Sequence, residues 1–206
     1  MKALRAAGTL ALVGAFVAGC GSGTKPAATR SAPPTKGQAL LSRVHAAYRN
    51  VPAVRMRVRL GPERVRFTLL LRAGVTTAEE VVGAGPTGTT ALVARKDGPT
   101  YARAPGSTCW RPVPHGQPQE LADVGLPFPS GYQTRVKAPR RSGDAWLLPV
   151  VERARNSSQT QKVTLRINAS TMLLESATTQ SAGQTVTEHV QRLTGRPGLV
   201  TPKPIC

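Results

Sequence analysis

Few residues of this sequence stand at spacings that do chemistry. The chain of 206 residues has 3 histidines, His45, His115 and His189, and no H-E-x-x-H or comparable metal spacing joins them. No G-x-S-x-G elbow offers an activated serine. The cysteines, Cys20, Cys109 and Cys206, include no Cys-x-x-Cys pair of the redox kind. Gly83-Ala84-Gly85-Pro86-Thr87-Gly88 satisfies G-x-G-x-x-G, but a dinucleotide site needs a helix directly behind its glycines, aimed at pyrophosphate. The residues directly after Gly88 are "TTALVAR", rich in β-formers, so a hairpin loop is expected. Glu188 shares strand parity with Val186 and Val190, which turns it toward an apolar face; an edge ion pair is its expected fate. Asp123 and Asp144 fall in loops. The inventory points away from an enzyme and asks for no cofactor and no metal.

Covalent chemistry is expected at one position. In "ALVGAFVAGCGSG", Ala11 to Gly23, a cysteine follows an apolar run that begins after Lys2 and Arg5 and is too short to span a bilayer, which takes about 20 apolar residues. Val17-Ala18-Gly19-Cys20 resembles the lipobox of the bacterial lipoprotein signal. That resemblance implies removal of residues 1–19, a diacylglyceryl group on the Cys20 sulfur, and a protein held on the outer face of the cell membrane by its acyl chains. Residues 20–36, with "GSGTKPAATRSAPPTK", are Gly-, Ser-, Thr- and Pro-rich and read as a tether. Residues 37–206 are then one domain.

With Cys20 given to lipid, Cys109 and Cys206 remain as an even pair in an oxidising compartment, where a disulfide would tie the last residue to the middle of the domain. The formal charge of +18 argues for anionic surroundings, or for nothing beyond a solvated basic surface. Nucleic acid is not the expected partner: there is no base-reading motif, and an aromatic content of 4% is poor for stacking bases. The partners expected are the membrane and an amphiphile; the sequence identifies no protein partner.

The elements that must carry these residues follow from periodicity. "GQALLSRVHAAYRN" places Leu40, Leu41, Val44, Ala47 and Tyr48 at helical spacing, and Pro52 ends the helix. Next, Val54, Met56, Val58 and Leu60 alternate with Arg55, Arg57 and Arg59. Past the Gly61-Pro62-Glu63 turn, Val65, Phe67, Leu69 and Leu71 alternate with Arg64, Arg66 and Thr68. Strict period two means a hairpin with one apolar and one cationic face. Short extended runs continue to Val113. Pro114 to Gly143 reads as a long crossing loop with a brief helical candidate, "QELADV". Four more strands come after it, in one of which Val163, Leu165 and Ile167 share a face. Nothing alternates strand with helix, so the expected fold class is α+β, mainly antiparallel β, with a strongly curved sheet packed on one N-terminal helix.

That layout, with "TCWRPV", "VTLRIN" and "TEHVQRL…PKPIC", resembles the actinobacterial cell-envelope lipoproteins of LolA-like fold, the LppX/LprG type. The resemblance implies a half-barrel whose concave apolar face holds a lipid or other amphiphile. The candidate cavity residues are Val54, Met56, Val58, Val65, Phe67, Leu69, Val163, Leu165 and Ile167. Arg55, Arg57, Arg59, Arg64 and Arg66 are the candidate contacts to an anionic head group. Alternatively, the same apolar residues form an ordinary core, and the protein is a non-catalytic envelope scaffold that meets anionic lipid, wall polymer or a partner protein through its basic face.

Overall fold

The computed structural model describes residues 33–96, 98–113, 132–154, 160–181 and 183–206. Cys20, the tether up to Ser31-Ala32, His115, Asp123 and the helical candidate "QELADV" lie outside them. The described part starts with α1 (Lys36–Tyr48) and continues as β1 (Ala53–Leu60), β2 (Glu63–Arg72), β3 (Val75–Gly85), β4 (Gly88–Arg95), β5 (Tyr101–Arg103) and β6 (Arg111–Pro112). Then come β7 (Tyr132–Val136), β8 (Arg140–Ser142), β9 (Ala145–Ala154), β10 (Thr160–Asn168), β11 (Leu174–Ser181) and β12 (Gln184–Leu193).

α1 begins where Thr35 and Gln38 close a capping box: the Gln38 amide donates to Thr35 Oγ1 at 3.3 Å and the Thr35 amide donates to Gln38 Oε1 at 2.8 Å. It buries Gly37, Leu40, Leu41, Val44 and Tyr48, one stripe of the wheel. The strands form a single sheet in the order β6-β5-β4-β3-β2-β1-β12-β11-β10-β9-β7, with β8 also on β9. Every strand pairing is antiparallel. The two ends of that path do not meet, so the sheet is unclosed.

Curvature follows from what the helix touches. One buried cluster joins α1 to Leu69 and Leu71 of β2 and, at its far side, to Leu148 and Val150 of β9. Those strands are the outer members of a run of six, β2-β1-β12-β11-β10-β9, which laid flat would span about 24 Å at 4.8 Å per strand. α1, with 13 residues, reaches only about 20 Å. The sheet must curl around it, and it does: one large curved, open sheet holds one helix, the half-barrel expected from sequence.

The helix lies across the strands. Gly37 sits so close to β7 and β9 that a Cβ there would meet Val136 Cγ1 at 2.6 Å and Leu148 Cδ1 at 3.4 Å. At the other end, Tyr48 is buried beside the β2–β3 turn, and its hydroxyl accepts the Leu174 amide at 3.3 Å. Burial pushes that phenol up to about 12, the backbone hydrogen bond opposing only part of the shift.

Two expectations need correction. Pro114 to Gly143 is not loop throughout: β7 and β8 pair with successive stretches of β9, because Tyr132-Gln133-Thr134-Arg135-Val136 is β-prone between the prolines and reaches the open edge of β9. Nor is the arginine side of the sheet simply a solvated face. A second buried cluster of Ala91, Val93 and Trp110, with Val82 and Tyr101 against it, lies there. The chain beyond β12 crosses that side. The Val200 amide donates to Glu80 at 2.9 Å and Arg196 donates to the Leu71 carbonyl at 3.0 Å. At the end of the tail, the Trp110 amide donates to the Pro204 carbonyl at 2.8 Å and the Cys206 amide donates to the Trp110 carbonyl at 2.9 Å.

Candidate binding face on the concave side of the sheet

Strand alternation sorts the sheet into two faces. Val54, Met56 and Val58 of β1, Val65, Phe67 and Leu69 of β2, and Val163, Leu165 and Ile167 of β10 all have the parity of the residues that meet α1. Register carries one row across six strands: Val65 opposite Val58, then Glu188, Ala177, Leu165 and Leu148. The hairpin tips β1–β2, β11–β12 and β9–β10 share one edge of the sheet, here called the upper edge. α1 fills the lower part.

The nine sequence-expected residues divide along that line. Val54, Leu69, Val163, Leu165 and Ile167 are fully buried in the cluster closed by α1, and Met56 and Phe67 are half-buried against it. Val58, 7% exposed, and half-buried Val65 lie beyond that cluster. Above them on the same face come Val186, half-buried, and Leu60, 45% exposed. The apolar surface therefore runs on past the core the helix seals.

The five arginines stand on the opposite, convex face. Arg57 is directly across from Arg66 and Arg59 from Arg64, like charges at cross-strand positions that disfavour each other. Arg66 reaches Glu80 at 3.6 Å. Arg55 is half-buried, and its Nε has no hydrogen-bond partner among the described residues. On the same face Arg166 donates from Nε to Glu175 at 2.8 Å and from Nη2 to Asp144 at 3.0 Å, which gives Asp144 a partner that the sequence did not suggest.

On the concave face two carboxylates are held above the ordinary range by burial. Glu188 is paired in register with Val58 on one side and Ala177 on the other, and burial alone pushes its carboxyl above the ordinary range. The expected edge ion pair is absent: β12 is an interior strand, and no salt bridge reaches Glu188 among the described residues. Glu152 of β9 is 0% exposed; Oε2 accepts from Gln161 Nε2, while Oε1 has no partner among the described residues. Burial raises its carboxyl too, against a smaller opposing effect of the Gln161 bond. Sequence reasoning passed over Glu152. Its signal was there, two residues past Val150 and four past Leu148.

The remaining candidates disperse. His45 is exposed on α1 and His189 is exposed on the convex face opposite Arg57. Among the described residues no group of three His, Cys, Asp or Glu could hold a metal. Gly83 to Gly88 is the β3–β4 hairpin end, with strand rather than helix after it, as expected. Cys109 and Cys206 are joined as a disulfide with Cα atoms 5.5 Å apart. No described helix is long and apolar enough to cross a membrane.

Together these features define an open antiparallel half-barrel with one helix in its concavity and a disulfide-pinned tail behind it. No family model matches this chain, and no curated protein matches it. Among solved structures it is similar to LprF from Mycobacterium bovis, with 12% identity over 82% of this chain and 98% of that one, at a TM-score of 0.46. It is also similar to MucB, with 15% identity over 79% of this chain and 60% of that one, at a TM-score of 0.42. A third is the MucA/MucB complex of Pseudomonas aeruginosa, with 15% identity over 78% of this chain and 58% of that one, at a TM-score of 0.39. The chain thus spans about three fifths of the MucB chains it resembles.

Proposed function

We propose that this chain is an extracytoplasmic lipoprotein, anchored through acyl groups on Cys20, whose concave face holds the apolar chain of a lipid or other amphiphile without transforming it. The observation that carries the reading is the run of apolar side chains Val58, Val65, Val186 and Leu60 on the concave side, outside the α1 cluster and passing from buried Val58 to exposed Leu60. α1 has 13 residues and is about 20 Å long, too little to cover a face six strands wide and up to ten residues tall. Apolar surface in a concavity favours an apolar occupant by about 25 cal/mol per Å² removed from water. The lipobox and tether support the location.

A second reading is favoured by the face-sorted arginines. Exposed Arg57, Arg59 and Arg64 on the convex side suit contact with anionic lipid head groups or wall polymer, and in that role the protein is a scaffold. The two readings use opposite faces and are compatible. The test is to express the chain in a bacterium with and without Cys20→Ser. The native chain is expected in the membrane fraction with an acyl mass increment, and the Cys20→Ser chain free of both. Native mass spectrometry of the latter is expected to find a co-purifying lipid mass; a protein free of any such mass would leave only the scaffold.

A further inference from the structure

The two faces of the sheet differ in charge, against the composition of the whole. The chain has 28 Lys and Arg against 10 Asp and Glu. Yet on β1 and β10 every cation, from Arg55 to Arg59 and then Lys162 and Arg166, has convex parity, as do Arg64 and Arg66 of β2. In the rows from Glu188 up to the hairpin tips, no Lys or Arg of β1, β2 or β9 to β12 has concave parity among the described residues. Arg192 does share it, but at the lower edge opposite Val54, where the helix lies. What the upper concave rows do hold is acid: Glu188 beside Val58, Glu152 beside Gln161, and half-buried Glu63 at the tip of β2.

A buried carboxylate without a partner is costly, and the cost falls when a donor or a positive charge arrives. Glu152 has an oxygen with no donor among the described residues, in a side chain that is wholly buried. Glu188 has no ion pair among the described residues and sits between two apolar neighbours in its row. An anionic head group in this place would meet only repulsion.

Building on the reading that an apolar chain lies in the concavity, we propose that the upper concave face recognises the cationic, hydrogen-bond-donating end of an amphiphile, with Glu188 as the charge partner. Glu152, three strands across and two rows nearer the hairpin tips, is out of reach of the same amine. The ligand class is an alkyl chain bearing a protonated amine, in place of the anionic head group that the arginines suggested from sequence. The alkyl part lies along Val58 and Val65, and the amine turns toward β12.

The test compares three probes of equal length, decylammonium, decanol and decanoate, each below its micelle concentration. Calorimetric titration uses residues 20–206 with Cys20→Ser, a chain that contains every described element. Unspecific attraction to so basic a protein favours decanoate, so a preference for the amine runs against the background. Expected are the order decylammonium, decanol, decanoate, a gap of at least about tenfold between the first and last, and a loss of about tenfold for decylammonium alone in Glu188→Gln. Glu152→Gln, three strands away, is the control and is expected to leave the decylammonium affinity within about twofold. If decanol and decanoate bind and the amine holds no advantage, or if Glu188→Gln leaves the ranking untouched or Glu152→Gln weakens decylammonium as much, the charge preference is overturned while the apolar-chain reading survives. If none of the three binds, that underlying reading falls, and this inference with it.

Discussion

Breaking the Cys109–Cys206 bond is the perturbation with the largest calculable effect. The bond closes a loop with a sequence separation of 97 residues. In the chain-entropy account, the unfolded ensemble regains about 4.7 kcal/mol of loop freedom at 25 °C when a loop of this length is opened. That is a large share of the roughly 5–15 kcal/mol that holds a domain folded. The double variant Cys109→Ser, Cys206→Ser keeps the hydrogen bonds between Trp110 and the tail, so the loss isolates the covalent link. Denaturant unfolding should show the midpoint falling by the equivalent of about 3–5 kcal/mol. Fluorescence supplies a local readout. Of the 2 tryptophans, Trp110 is 1% exposed beneath this tail. In a Trp146→Phe background its emission should shift to the red at denaturant concentrations below global unfolding. A loss under about 1 kcal/mol, or Trp110 emission that changes only with the global transition, would refute the idea that the tail is a clasp.

Further outcomes follow from packing and titration. Gly37→Ala gains helix propensity, but its Cβ would press on Val136 and on the Lys137 carbonyl, so a net destabilisation of about 1–3 kcal/mol is expected as a lower melting temperature; a rise would show the contact to be loose. The Glu188 carboxyl is raised on folding from an ordinary 4.5, so the folded state holds the proton more tightly. Its stabilising contribution is present below that value and is lost as pH rises through the folded pKa. Glu188→Gln should therefore flatten stability between pH 4.5 and neutrality and raise the neutral-pH melting temperature, and a lower one would mean that Glu188 has a favourable partner.

What the sequence revealed depended on contrast between neighbouring residues. β1 and β2 could be read because Val and Arg differ so sharply at period two, and β12 ends where "QTVTEHVQRL" ends. Curvature over one helix followed from counting elements. Glu152 was missed because "AWLLPVVE" is continuously apolar: Leu147 and Leu148 look alike, and only the pairing of Leu148 with Leu165 decides which of them faces the core. The opposed placement of the arginines and the apolar residues of β1 and β2 was legible. That the charged groups of the upper concave rows on these strands would be acids, with no described cation among them, was not, since it depends on which strands become neighbours across more than a hundred residues. The second core behind β3 to β5 was hidden for the same reason. "GLVTPKPIC" has no periodicity of its own, and it is ordered by Trp110 and by the disulfide.

The central claim is that an apolar chain lies against the concave face, and neighbouring positions on β2 can test it. Val65→Trp places a reporter on that face and Arg64→Trp places one on the convex side. Each variant is titrated with a bromine-labelled acyl chain, whose bromines quench a tryptophan they touch. The account predicts quenching at position 65 and none at position 64. Equal quenching at both, or none at either, would contradict it.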